Sequence, residues 1–270
     1  MGSNTKVDTL RCRDYRLKIL EISQKVTALH AGAAFSCLEI LDCIYFRLMN
    51  KDSDGKFLDK FILSKGHGGI ALYVVLEKLG LIDEKILYDY CQPEGQLGCH
   101  PDYGLPGIEA STGSLGHGLA LSVGVAYSEM YIRKSEKKVY VVISDGELQE
   151  GSTWESLMMA ANLNVSNLIV ILDHNGMQSF GHTKDTHPAF YPILEKLQSF
   201  NFESYSVDGH DNEEIEKAVL ARKGDRPLFI LANTVKGKGV SFMESVPVWH
   251  YRSPSPEEFN QAITELRKIN

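Results

Sequence analysis

The sequence lacks a basic surplus: 28 lysines and arginines stand against 35 aspartates and glutamates, a net charge of −7. A protein that grips nucleic acid whatever its sequence needs a positive face, so nucleic acid is not an expected partner. Nor does any run approach the roughly 18 consecutive apolar residues of a membrane helix. Apolar stretches such as Val139 to Ile143 and Leu168 to Leu172 are strand-sized, so no membrane association is expected. The chain opens Met-Gly-Ser-Asn-Thr-Lys and runs into a charged amphipathic segment, without the apolar centre of a signal peptide. Cysteine is sparse and odd in number (Cys12, Cys37, Cys43, Cys91, Cys99), with no Cys-x-x-Cys pair. Reduced thiols in a soluble cytoplasmic protein are the expectation. A phosphate loop ending in Gly-Lys-Ser/Thr is missing too, and Lys236-Gly237-Lys238-Gly239 does not supply one.

What is present is an ordinary globular composition, 43% hydrophobic and 23% charged over 270 residues. That suits one large α/β domain, expected to span residues 1–270. Helical spacing of apolar residues predicts helices over Val7–Leu29, Cys37–Met49, Ile70–Leu79 and Thr153–Asn162, and from Gly118 to about Arg133. Further helices are expected over Pro188–Phe200, Asn212–Ala221 and Ser255–Ile269. Between them lie short apolar runs at Phe61–Leu63, Val139–Ile143, Leu168–Leu172, Phe202–Val207 and Leu228–Ala232. Strands alternating with helices predict a mostly parallel sheet covered by helices on both faces. Ligands of such sheets sit beyond the carboxyl ends of the strands.

Three strand ends carry distinctive residues. Phe61-Ile62-Leu63 stops at Ser64-Lys65-Gly66-His67-Gly68-Gly69. Val139 to Ile143 runs into Ser144-Asp145-Gly146, where a carboxylate leaves the sheet edge beside a glycine that admits a ligand to the backbone. Ser152 and Glu155 have capping-box spacing, which predicts a helix start just beyond. Leu168 to Leu172 ends in Asp173-His174-Asn175-Gly176-Met177. If these two strands are neighbours, Asp145 and Asn175 lie side by side. A carboxylate, an amide oxygen and a backbone carbonyl are hard ligands for Mg²⁺ or Ca²⁺, and a helix N-terminus beside them suits a diphosphate. Cys99 beside His100 has no identifiable base or orienter and reads as a small loop residue. His174, His182 and His187 read as ordinary loop residues.

Ser144-Asp145-Gly146 followed by Asn175-Gly176 resembles the thiamine-diphosphate motif. The likeness extends along the chain and is specifically to transketolases. Ala28-Leu29-His30-Ala31-Gly32-Ala33, Phe61 to Gly68, Gly98-Cys99-His100-Pro101 and Ser111 to Gly118 resemble four of their segments, and Val207 to Asp211 and Trp249-His250 have counterparts. The resemblance is to the N-terminal, diphosphate-binding half alone, most similar to the N-terminal subunit of a split, two-gene transketolase.

That resemblance implies that Asp145, Asn175 and the Met177 carbonyl hold a divalent cation, Mg²⁺ or Ca²⁺. It implies that His67, Gly146 and Asn175 contact the diphosphate, that Gly113, Ser114 and Leu115 lie along the rings of thiamine diphosphate, and that Lys236 reaches the cofactor. His30, His100 and His250 would line a channel for a sugar or sugar phosphate, with His250 also near the diphosphate. The implied reaction moves a two-carbon ketol unit from a ketose donor to an aldose acceptor. The implied partner is a C-terminal transketolase subunit carrying the pyrimidine-binding domain, most simply in a heterotetramer with two copies of each chain. Departures from the family's segments include Ser144 for a glycine, Ala31 for a proline, His117 for a glutamine and Tyr251 for a glycine. Two other readings are the α-like subunit of a 2-oxoacid dehydrogenase, or else a non-catalytic regulatory subunit. His30, His67 and His100 argue for sugar chemistry against the first, and a scaffold has no physical use for Asp145 and Asn175.

Overall fold

A computed structural model describes residues 2–26, 29–179 and 181–269. Ala28 of the segment around His30, and the terminal Asn270, lie outside the described residues. Five strands form one wholly parallel sheet: β1 (Lys60–Leu63), β2 (Val139–Ser144), β3 (Leu168–His174), β6 (Glu203–Asp208) and β7 (Leu228–Asn233), in the order β1-β2-β3-β7-β6. A two-stranded antiparallel pair, β4 (Met177–Gln178) and β5 (Gly181–His182), follows β3. The central strands are apolar at nearly every position because both their faces are covered. Side chains alternate between two cores. Tyr140, Val142, Ile169 and Ile171 enter the core on one face, and Val139, Val141, Leu168 and Val170 the core on the other.

The first core packs under α1 (Gly2–Ser23), α2 (Ala31–Ser36), α3 (Leu38–Cys43), α4 (Gly69–Lys78), α10 (Asn212–Leu220) and α11 (Pro256–Leu266). The second packs under α6 (Gly118–Tyr127), α7 (Gly151–Asn162) and α9 (Ile193–Ser199). The shorter helix α5 (Glu84–Tyr88) adds Leu87 to the first core, whereas α8 (Thr183–Thr186) contributes to neither. No helix among the described residues is long and apolar enough to cross a membrane.

Several boundaries differ from the expectation. The helix foreseen to Leu29 ends at Ser23. The one foreseen over Cys37–Met49 is α3 followed by a π-helical turn, Ile44–Leu48. Pro188–Phe200 divides into a 3₁₀ turn, Pro188–Phe190, and α9. The predicted cap at Ser152 is corrected: α7 begins after Glu150, and the chain leaving β2 first makes a 3₁₀ turn over Asp145–Gln149. Glu147 causes that turn, because its carboxylate reaches back to accept the Ser144 N–H at 3.1 Å. Thr153 then fixes the helix by donating its hydroxyl to the Glu147 carbonyl at 2.7 Å.

Candidate active site

Loops leaving β1, β2, β3 and β7 meet at a cavity of about 480 Å³ beyond the carboxyl ends of the strands. Its walls include His30, His67, His100 and His250 from four separate segments, together with Lys236 and Tyr251. The His30 ring centroid lies 5.8 Å from that of His67, 6.3 Å from His100 and 5.3 Å from His250. Burial, reinforced by neighbouring cationic groups, pulls His30 down to about 4 and His250 to about 3, and holds His67 well below the usual histidine range. All three rings are therefore neutral at pH 7, each with one donor and one acceptor nitrogen. Cys99 Sγ lies 3.0 Å from His100 Nδ1. Tyr251 lays its ring 4.3 Å from His250 and 5.3 Å from His30, at the mouth, and is over half exposed.

Beneath the cavity sits a buried ion pair that no local sequence pattern announces. Lys65 contacts Asp173 directly and donates to the Ala33 carbonyl at 2.6 Å and the Ser36 hydroxyl at 3.1 Å. Thr234 donates its hydroxyl to the other oxygen of Asp173. Burial opposes both charges, but each partner outweighs it for the other, so Lys65 is raised and Asp173 lowered. Lys236 has no such carboxylate against it among the described residues: burial, and then Lys65, pull it down to about 8. Glu147 is a second support that the motifs do not reveal. It accepts the Ser64 hydroxyl at 2.5 Å and the Gly116 N–H at 3.1 Å, tying two cavity loops to the end of β2, and burial pushes it up to about 7.

The β2–β3 register sets Ser144 opposite Asp173, which brings Asp145 beside the His174-Asn175-Gly176 turn. Asp145 is buried and accepts the Gly176 N–H at 2.8 Å. Its other oxygen lies 2.5 Å from His174 Nδ1, so His174 is no ordinary loop residue. Asn175 accepts the Met177 N–H on its side-chain oxygen at 3.1 Å.

The residues suit a polar, anionic guest. Ser144 Oγ and His30 Nδ1 are buried on residues that line the cavity, and neither has a hydrogen-bond partner among the described residues. A side chain at Gly146 would meet only Leu115 Cδ1 at 3.6 Å, so the backbone there is open to close approach. Gly113, at φ +151°, packs so tightly on the His100 ring that a Cβ would sit 3.1 Å from it. The oxygen donors of Asp145, Asn175 and the Met177 backbone match a hard divalent cation in kind. Among the described residues no group of three or more His, Cys, Asp or Glu is placed to hold a metal ion.

Of the residues singled out, Gly113, Leu115, Gly146, Asn175, Met177 and Lys236 line the cavity with the four histidines. Asp145 lies buried beside it. Ser114 does not line it: it faces an adjoining apolar groove of about 860 Å³, whose wall also includes His117, Leu121 and Val125. Gly113 belongs to both. Exposed apolar side chains on the same helical layer, Leu121, Tyr127, Met158 and Met159, extend this side of the molecule.

Residues 7–257 match the family described as the transketolase, thiamine diphosphate binding domain. The chain is 38% identical over 243 residues to an apulose-4-phosphate transketolase subunit of Actinobacillus succinogenes, covering 88% of this chain and 87% of that one. It is 36% identical over 255 residues to a 6-deoxy-6-sulfo-D-fructose transketolase subunit of a Clostridium species, covering 92% of each. Transketolase from Leishmania mexicana superposes with a TM-score of 0.87 at 26% identity, over 96% of this chain but 41% of that longer one. The chain thus belongs to the transketolase family, as its thiamine-diphosphate-binding domain.

Proposed function

We propose that this chain is the diphosphate-binding subunit of a split transketolase, moving a two-carbon ketol unit from a ketose, or ketose phosphate, to an aldose. The observation that carries the reading is the cluster of neutral histidines above a buried carboxylate and amide, in a chain whose similar-length relatives bear the names of transketolase subunits. The histidine cluster favours this over a 2-oxoacid dehydrogenase subunit, while the retained Asp145 and Asn175 favour it over a regulatory one.

In this reading residues 1–270 act as one domain. Asp145, Asn175 and the Met177 carbonyl hold Mg²⁺, or Ca²⁺. His67, Gly146 and Asn175 hold the diphosphate, with Lys236 and His250 adding donors from the loop after β7. Gly113 and Leu115 lie along the rings of the cofactor, and Ser114 stands at the edge toward the groove. When bound, thiamine diphosphate supplies the electron sink that lets a carbon–carbon bond of the sugar break. His30, His100 and His250 orient the sugar and take or return protons at its hydroxyls, as imidazole side chains do in general acid–base catalysis. The partner, carrying the pyrimidine-binding domain, seats on the apolar groove beside Gly113 and completes the site, most simply as two copies of each chain. Five free cysteines, three of them buried, suit work in the cytoplasm.

The test is reconstitution. The purified chain should show no ketol transfer alone and should gain it on addition of the partner chain. Robust turnover by the isolated chain would overturn the split-enzyme reading.

A further inference from the structure

His210 stands outside the cavity, yet both of its ring nitrogens are engaged. The Val235 backbone N–H donates to Nε2 at 2.8 Å, so that nitrogen carries no proton. Nδ1 therefore carries it, and lies 2.9 Å from a Glu39 oxygen. Glu39 is held in turn by Arg16, with contacts of 2.7 and 2.9 Å, and Arg16 also donates to the Phe35 carbonyl at 2.9 Å. One continuous chain of bonds thus runs from Val235 to Phe35.

Its two ends are next to the site. Val235 precedes Lys236, whose Nζ donates to His250 Nδ1 at 2.9 Å. Phe35 lies on α2, the helix that opens directly after His30. A shorter tie runs parallel: the Gly237 N–H donates to the Gly32 carbonyl at 2.9 Å, and a Cβ at Gly32 would sit 2.9 Å from the Trp249 carbonyl. The loop after β7 and α2 are therefore tied to each other through the His210 chain and this backbone contact, beside the Ser36–Asp173–Thr234 bonds at the buried ion pair.

We propose that His210 is a positioning residue that sets the Lys236–His250 loop against the His30 helix through a single fixed tautomer. It rests on the functional reading above only for what that geometry serves. The ring acts as a spacer with an acceptor at one end and a donor at the other. Gln can return an acceptor near the Nε2 position, whereas Asn can return only the donor toward Glu39.

The test uses the full chain and reads the clamp without cofactor first. In His210→Asn, exchange of the Val235 amide should quicken by at least about tenfold while amides of β2 keep their protection. In His210→Gln the Val235 amide should regain most of its protection. Titration with thiamine diphosphate and Mg²⁺, partner chain present, should show affinity about tenfold weaker for His210→Asn and near wild type for His210→Gln. Equal Val235 protection in all three proteins would overturn the clamp. So would a His210→Gln variant as impaired as His210→Asn, since the ring would then only fill space. Unchanged cofactor affinity in His210→Asn, with Val235 deprotected and wild type binding normally, would overturn the positioning role. A wild-type chain that binds no cofactor while the exchange pattern holds would instead overturn the functional reading and leave the clamp standing.

Discussion

Lys236 Nζ lies 2.9 Å from His250 Nδ1, so a buried amine and a neutral imidazole share one hydrogen bond at the wall of the cavity. Burial and Lys65 bring the amine down to about 8, within reach of ordinary buffers. Below that pH the charged amine attracts the diphosphate, and above it the attraction fades. Calorimetric affinity for thiamine diphosphate should therefore fall as pH rises through about 8. Lys236→Gln should bind about tenfold more weakly at pH 7 and lose that dependence. A pH dependence that survives the substitution would assign it to another group.

His30 and His100 should separate binding from turnover. Their alanine variants are expected to bind cofactor like wild type but, in the reconstituted enzyme, to lose about 10²- to 10⁴-fold in kcat/KM. With His30 near 4 and His250 near 3, neither ring changes charge between pH 5 and 7. No limb at the ordinary histidine pKa should come from either residue, and a pH–rate profile checks this directly.

At the β2–β3 end the expected effect is on affinity. Asp145→Ala removes the one carboxylate of the proposed cation site, so thiamine diphosphate binding with Mg²⁺ should weaken by about a hundredfold or more. Far-ultraviolet circular dichroism should stay unchanged. Unaltered binding in a folded variant would rule out the site.

The Arg16–Glu39 pair predicts acid behaviour. Burial opposes the charge on Glu39, but Arg16 and then His210 outweigh it and hold the carboxyl at about 2, against an ordinary 4.5. A depressed folded-state value contributes stability above the unfolded pKa and loses it as pH falls through the folded one. Glu39→Gln leaves a buried guanidinium short of its partner and should cost about 3–5 kcal/mol at neutral pH. Denaturant unfolding at stepped pH should show the gap to wild type narrowing between 4.5 and about 2. A gap that stays constant would place the stabilisation elsewhere.

The sheet was legible in the sequence because β2 and β3 are apolar on both faces, and such runs stand out against amphipathic helices. Their pairing then sets Asp145 beside Asn175, as the two motifs suggest. Lys65, Glu147 and His210 were not legible as site supports. Their partners, Asp173, Ser64 and Glu39, lie far away in sequence, and only the folded chain brings the charges together. His174 escapes notice for the same reason, since nothing local announces its bond to Asp145. The π-helical turns at Ile44–Leu48 and Ser128–Ile132 break an apolar spacing that reads as continuous helix. Ser114 stands in sequence between two residues of the cavity wall, yet it faces the groove.

Gly113 is wall to both the cavity and the groove, so with the partner seated as proposed, assembly and loading would be coupled. In the proposed assembly, whatever factor a bound cofactor adds to the partner's affinity the partner adds to the cofactor's, since linkage between binding sites is reciprocal. The supply of thiamine diphosphate would then govern how much of the complex exists at all. Starved of it, the two kinds of chain would drift apart before either of them unfolded.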